Sequence, residues 1–567
     1  MRAVKLALGC AAILSFSACK GNAPAAPDAS RVEAATTAPS ASDVGTPATT
    51  PADAAATPSD DAGPAPADAA ASAPAPDAAP AAEVPKDERG FPEDPYRAEQ
   101  PAPGPRPELT PPVVESFTLP SGLEVRRVAQ TLPTVFMSFD FDTGAADDPP
   151  DQLGLASVCL DLFTESTAAK DKVAFSEAQA DHAVSIFSAA GVESSSLVVR
   201  ALESELGPAL DLFAELVTSP GMRQDDFERI IANRKADLKQ ARGAPRSIAG
   251  RVWGSLVWGP DHPYGRIQDE ADLDHITLDA CKAWVKRLGP SGATLWVGTR
   301  LEREKLVAAL GDRLARWTGA APKAPEIPAA RTPTGAIYLV HVPGAVQSQV
   351  WVGHPGPRRD APDFEPTSLM MKILAGGFSS RVNMNLREAK GYAYGGSGAY
   401  DYRRHGSALA IQSSVETSTT ALALREMANE VKAMREAPPK PEELDRERDG
   451  ALASLPARFA TPTKTLAELE RLAFFGLPLD WFAGHPARLA AVDAAAILAA
   501  AKAHLDSGDV VVMVVGDALA ETKDKTGTVL DALKALADEK VFGGGGLVVI
   551  DADGKPTDPP KPAATPK

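Results

Sequence analysis

Arg387 and Tyr394 stand seven positions apart. A guanidinium and a phenol can both donate hydrogen bonds. Seven residues make about two helical turns. Gly391 falls between them and is expected to end the helix, so that Tyr394 opens the next strand. Both side chains can then face one space. The residues alone fit equally well with Arg387 in a helix-surface salt bridge and Tyr394 packed in the sheet. Metal chemistry has less material. The eight histidines lie at positions 182, 262, 275, 341, 354, 405, 485 and 504. No two are three or four apart, so no helix can offer two imidazoles to one ion. Each is expected to be a surface or hydrogen-bonded histidine.

The elements that must place these residues follow from periodicity. Phe117-Thr-Leu-Pro-Ser-Gly-Leu-Glu-Val125 reads as two extended runs joined by a turn. Val135, Met137, Phe139 and Phe141 alternate at period two, which predicts a half-buried strand. Helices are expected over 154–167, 202–218 and 223–241, with strands around 183–199; Pro220 blocks continuation of the second helix. The second half repeats this order, with strands at 336–342 and 349–353, a helix over 367–390 and strands around 395–416. Two apolar strands that end in glycine, Ala293-Thr-Leu-Trp-Val-Gly298 and Val511-Val-Met-Val-Val-Gly516, follow similar helical lead-ins. Similarity at domain-length spacing means duplicated domains. The predicted class is α+β, each domain a mostly antiparallel sheet with helices packed on one face. The domains are placed at 113–325 and 326–545, about 430 residues that are too many for one core and suit two. Cys159 and Cys281 sit on apolar helical patterns; a buried free thiol is the expectation for each, and a disulfide the alternative. Trp253, Trp258 and Trp296 are expected in the core, and the basic pairs Arg358-Arg359 and Arg403-Arg404 in solvent.

In order and spacing, several motifs resemble the pitrilysin/insulinase family of zinc metallopeptidases, the inverzincins, over roughly Val113 to Lys540. They are Leu119-Pro-Ser-Gly-Leu-Glu-Val125, Gly144, Gly154-Leu-Ala156, His262-Pro-Tyr-Gly-Arg266, and Leu374-Ala-Gly-Gly-Phe-Ser-Ser-Arg381 followed by Leu386-Arg-Glu-Ala-Lys-Gly-Tyr-Ala-Tyr394. The family's H-x-x-E-H puts two histidines one turn apart on one metal, with a glutamate as general base. On this resemblance the two histidine positions are Ser157 and Asp161, the base position is Leu160, and the third ligand maps to Asp237. Leucine cannot take a proton from water, and Ser, Asp and Asp form no usual zinc set. The resemblance therefore implies two metallopeptidase-like domains, the first with a degenerate zinc site, and no cofactor in this chain. Zinc is expected only in a partner subunit. In the family an Arg/Tyr pair at the spacing of Arg387 and Tyr394 faces a zinc domain across a closed chamber, where Arg binds a substrate carbonyl and Tyr lies near the oxyanion.

The ends of the chain suggest an address. Arg2 and Lys5 precede an apolar run, Leu6 to Phe16, too short to cross a bilayer, and Phe16-Ser-Ala-Cys19 resembles a bacterial lipobox. Residues 1–18 read as a signal peptide and Cys19 as the lipidated first residue. An Ala/Pro-rich tether, expected to be disordered, spans 19–112, and a disordered tail is expected over 546–567, after the flexible run Gly543-Gly-Gly-Gly546. The formal charge of −17 argues against a nucleic-acid partner. The expected protein is a lipid-anchored envelope subunit, facing the periplasm or the exterior, that pairs with a zinc-bearing homologue to bind and help cleave peptides. The alternative is a non-catalytic scaffold or peptide-binding module.

Overall fold

The computed structural model describes residues 104, 108–320, 323–506 and 510–561. The signal segment, Cys19 and nearly all of the tether lie outside them. The first described sheet contains β1 (Val114–Thr118), β2 (Glu124–Ala129), β3 (Thr134–Phe141), β4 (Ser185–Ala190), β5 (Ser195–Leu202) and β6 (Thr294–Thr299). Its order is β1-β2-β6-β3-β5-β4. The period-two run forms β3, and its four alternating apolar side chains are buried. The second sheet contains β7 (Ile337–His341), β8 (Gln347–Gly353), β9 (Pro355–Gly356), β10 (Ala393–Arg403), β11 (Gly406–Glu416), β12 (Val511–Gly516) and β13 (Leu547–Ile550). Its order is β10-β11-β8-β12-β7-β13, with β9 on β11.

The two sheets share one plan. The path β4-β5-β3-β6-β2 matches β10-β11-β8-β12-β7. Along both paths three antiparallel pairings are followed by one parallel pairing. This repeated topology establishes two homologous α+β domains. They differ at the sixth strand. β1 enters antiparallel to β2 from the N-terminal side, whereas β13 enters parallel to β7 from the C-terminal side. The tail expected from 546 therefore begins later. The apolar run Leu547–Ile550 pairs with β7, and Gly545 packs where a Cβ would lie 2.6 Å from the Thr334 carbonyl. The glycine run is the lead-in to an edge strand rather than a flexible exit.

The first domain carries α1 (Leu155–Glu165), α2 (Lys172–Asp181), α3 (Leu206–Thr218), α4 (Gln224–Ala241), α5 (Pro245–Trp258), α6 (Glu270–His275), α7 (Leu278–Val285) and α8 (Arg303–Leu314). The second carries α9 (Phe364–Leu374), α10 (Arg381–Asn383), α11 (Thr420–Glu436), α12 (Pro441–Ser454), α13 (Pro462–Phe474), α14 (Trp481–Ala490), α15 (Ala494–His504) and α16 (Val529–Asp538). Each domain packs helices of its own on one face of its sheet. The opposite face is covered by a helix of the other domain. Ile248, Val252 and Trp253 of α5 pack on Val511, Met513 and Val515 of β12. Leu466 and Leu469 of α13 pack on Val128 and Trp296 of the first sheet. Burial of this apolar surface joins the domains into one body. Cys159 and Cys281 form a disulfide between α1 and α7, not two free thiols, because these facing helices bring their Cα atoms to 4.8 Å. The basic pairs are only half in solvent: Arg359 stacks on Phe364 and Trp481, and the Arg404 guanidinium donates to Asp142 and the Phe474 carbonyl while its backbone amide donates to Glu193.

Candidate functional site

Two corners carry the residues singled out from the sequence. In the first, Gly154 (φ +94°) starts α1 where a Cβ would strike the Gln268 amide. Asp148 caps that start, accepting from the Gly154 and Ala156 amides at 2.8 and 2.9 Å. Burial pushes the Asp148 carboxyl up to about 6 in spite of those bonds. Arg266 donates to the carbonyls of Asp148, Ala145 and Ala146 at 2.7, 3.0 and 3.0 Å, so the His262–Arg266 motif braces the entry to α1.

On α1 itself, Ser157 donates its hydroxyl to the Gly154 carbonyl at 3.0 Å. Leu160 is 1% exposed and belongs to the first core. Asp161 forms an ion pair with Arg234 of α4. The α4 residue that meets Asp161 is thus Arg234, while Arg229 of α4 pairs with Glu165 at the end of α1; Asp237 lies about a turn past Arg234 and is exposed. The family's zinc does not fit this set. One hydroxyl is committed to backbone, the base position is hydrocarbon, and the one nearby carboxylate already holds a guanidinium. Among the described residues no three His, Cys, Asp or Glu side chains converge as a metal-holding group. The histidines have other partners. His262 bonds the Pro328 carbonyl and the Tyr264 amide, His354 bonds the Pro355 carbonyl and the Asp506 amide, and His182, His485 and His504 meet Glu205, Glu365 and Asp363.

The second corner is open. The helix expected over 367–390 is broken at Gly376-Gly377, because a Cβ on Gly376 would come within 2.8 Å of the Lys372 Cα. The chain resumes as α10 and then as a π-helical turn, Met384–Ala389, which carries Arg387. Such turns are frequent at functional sites. Gly391 (φ +64°) ends it, as its position predicts. β10 follows, with a bulge between Ala393 and Gly396 that contains Tyr394. The Arg387 guanidinium carbon lies 5.1 Å from the centre of the Tyr394 ring, so the structure does bring the pair together. It also lies 4.8 Å from the ring of Phe378. Phe378 was not singled out from the sequence; an aromatic residue directly after Gly-Gly, in a turn too tight to bury it, was the available signal. Arg387 pairs with its neighbour Glu388 through Nε at 3.1 Å. Arg387 thus makes the helix-surface salt bridge of the structural alternative, whereas Tyr394 is 87% exposed and not packed in the sheet.

Comparison with known proteins fits this geometry. Residues 127–249 match the insulinase family (peptidase family M16), and residues 275–450 match the peptidase M16 inactive domain. A non-peptidase homolog, YmxG, from Helicobacter pylori is 24% identical over 62% of this chain and 81% of its own length. An uncharacterized zinc protease from Mycobacterium leprae is 27% identical over 52% of this chain and 67% of its own. The crystal structure of a peptidase M16 inactive domain from Pseudomonas fluorescens superposes with a TM-score of 0.66 at 22% identity, covering 72% of this chain and 98% of that one. The chain belongs to the insulinase (pitrilysin) family of peptidases, as a non-catalytic homologue without the family's H-x-x-E-H.

Proposed function

We propose that this chain is the zinc-free subunit of a two-chain peptide-cleaving assembly of the cell envelope, anchored through Cys19. It would pair with a homologue that carries the zinc and the general base. The observation that supports the reading is the contrast within one chain: on α1 the Asp161 carboxylate is paired with Arg234, while the half-buried Arg387 guanidinium lies against the exposed Tyr394 ring. In the assembly the Arg387 guanidinium donates to a carbonyl of the bound peptide and orients it. The Tyr394 hydroxyl donates to the oxygen that becomes negative as the partner's nucleophile attacks. Donors fixed before the reaction supply a few kcal/mol of such stabilisation, about 3 kcal/mol for one hydrogen bond.

The test is reconstitution. The purified chain should hold no stoichiometric zinc and cleave no peptide alone. Adding a homologue with an intact H-x-x-E-H should give cleavage that Tyr394→Phe reduces at least about a hundredfold, the scale of a lost oxyanion donor, and that Arg387→Ala also lowers. Cleavage by the lone chain would end the proposal. The second reading, a scaffold or peptide-binding module, is favoured by the relative described as a non-peptidase homolog. It is selected if partner-dependent cleavage is indifferent to Arg387→Ala and Tyr394→Phe.

A further inference from the structure

Three local departures from regular structure meet at one point of the second domain: the Gly-Gly turn, the π-helical turn and the β10 bulge. They deliver Phe378, Arg387 and Tyr394 respectively. Among the described residues nine large hydrophobic side chains are exposed, and only Phe378 (67%) and Tyr394 (87%) are aromatic. Both lie against the same guanidinium. Isolated exposed hydrophobics need no explanation, but two aromatic rings about one arginine form a patch of the kind used for contact.

The patch is not a loose loop. Asn383 is 5% exposed and brackets both aromatic segments. Its amide nitrogen donates to the Phe378 carbonyl at 2.6 Å, and its amide oxygen accepts from the Gly396 amide at 3.0 Å. On the far side of the turn, Ser379 bonds Glu447 at 3.2 Å and Arg381 pairs with Glu443 at 2.7 Å. Phe378 and Tyr394 are therefore held before any ligand arrives, which lowers the entropy cost of binding. The rings lie against the guanidinium, and its Nε is taken by Glu388. Its terminal nitrogens have no protein partner among the described residues and remain for a carbonyl oxygen.

We propose that Phe378 completes a clamp with Arg387 and Tyr394, and that this clamp takes an extended peptide bearing an apolar side chain next to the carbonyl held by Arg387. The apolar side chain lies on the exposed rings. The carboxylate of Glu388 at the same spot disfavours an acidic one. The proposal rests on the peptide-binding reading above and adds its specificity.

The experiment uses the full chain and two fluorescein-labelled, N-acetylated, C-amidated peptides that differ only in a central Leu or Ser. Blocked ends leave Arg387 a chain carbonyl rather than a terminal carboxylate. Anisotropy titration should show the Leu peptide binding about tenfold more tightly than the Ser peptide. Phe378→Ala should remove that discrimination while leaving the circular dichroism spectrum unchanged, since the side chain is mostly in water. Arg387→Ala should weaken both peptides alike. If Phe378→Ala still prefers Leu while Arg387→Ala loses both peptides, the clamp is refuted and peptide binding stands. If wild-type chain binds neither peptide, or Arg387→Ala binds both unchanged, peptide binding fails and the clamp with it.

Discussion

The same stretch of the duplicated plan has been used in two ways. In the first domain the chain between β3 and β4 forms α1 and then α2, a regular helix capped by Asp171. In the second domain the corresponding chain between β8 and β10 forms α9, then a glycine turn, α10 and a π-helical turn. The first stretch ties its polar groups to the protein: Ser157 to backbone, Asp161 to Arg234, Cys159 to Cys281. The second turns two rings outward about a half-buried guanidinium. Where the family resemblance places a zinc site, this chain has ties internal to the protein. At the corner proposed for peptide contact its backbone is irregular. Irregularity that packing does not require is better explained by contact with something outside the chain.

The largest effect that can break this comparison is on the disulfide. It closes a loop of 122 residues within the first domain, and its loss should cost roughly 4 kcal/mol through the entropy returned to the unfolded chain. The double variant Cys159→Ala/Cys281→Ala should therefore unfold at clearly lower urea, and free thiol titration of the wild type should detect neither cysteine until reductant and denaturant are present. An unchanged urea midpoint would mean that α1 is not held by its covalent tie. Nearly as large is Leu160→Glu, which writes the family's base back into the helix. Its carboxyl would enter a hydrocarbon core with no partner, at a cost of about 3 kcal/mol. On the open corner Arg387→Ala should stay within about 0.5 kcal/mol of the wild type in the same assay, as expected for a surface residue. If both variants are equally destabilised, the two corners do not differ as described.

Some of this was legible in the residues. The alternation of Val135, Met137, Phe139 and Phe141 could only be a strand with one buried face, and Gly391 marked the change of element that puts Tyr394 beside Arg387. Other features leave no trace in one sequence. The apolar stripe of α5 says that the helix is covered, not that the other domain's sheet covers it. Two cysteines on separate helices carry no pairing information until the fold brings them together. Counting along α4 gives Asp237 as the family's third position, but it does not show that Arg234 is the side chain that meets Asp161. The run Leu547–Ile550 is short and followed by a Pro/Lys-rich end, so composition hid a strand that only the open edge of β7 explains.

The two exchanged helices extend the contrast from the corners to the interfaces behind them. Behind the first sheet, α13 brings Glu470 against Asp140 of β3. Ser138 donates to Asp140 at 2.7 Å, while Glu470 Oε1 is enclosed without a partner. Burial, and then the charge of Asp140, push Glu470 up to about 8; burial likewise raises Asp140 to about 6, with Asp142 adding to it and Arg126 opposing. A carboxyl raised on folding binds more protons folded than unfolded, so stability falls as pH rises from the ordinary value near 4.5 through about 8. The loss is read as a falling thermal midpoint between pH 5 and pH 8.5. Glu470→Gln should flatten that fall and be the more stable protein above pH 8. A wild-type profile that is level over this range, or a variant with the same slope, would show that no proton is shared across this interface.

Beside the second sheet's exchanged helix the charges are opposite. Asp553, in the turn after β13, accepts from Arg242, just past the end of α4, at 2.9 Å and from Arg251 of α5 at 2.7 Å. Burial would raise its carboxyl, but those two bonds outweigh it and hold it below the ordinary carboxylate range. The sign therefore reverses. Stability from this carboxylate is present above its unfolded value near 3.8 and is lost only as pH falls through the lower folded value. Asp553→Asn should cost about 1 kcal/mol at neutral pH, because both guanidinium groups keep part of their water contact. The penalty should shrink in acid below pH 4, the opposite direction from Glu470→Gln. Thermal midpoints of the two variants taken on one pH series make the comparison direct: lines that diverge in opposite directions identify one interface held by a proton and one by a charge pair. Parallel lines would mean that the two exchanged helices are held by apolar burial alone.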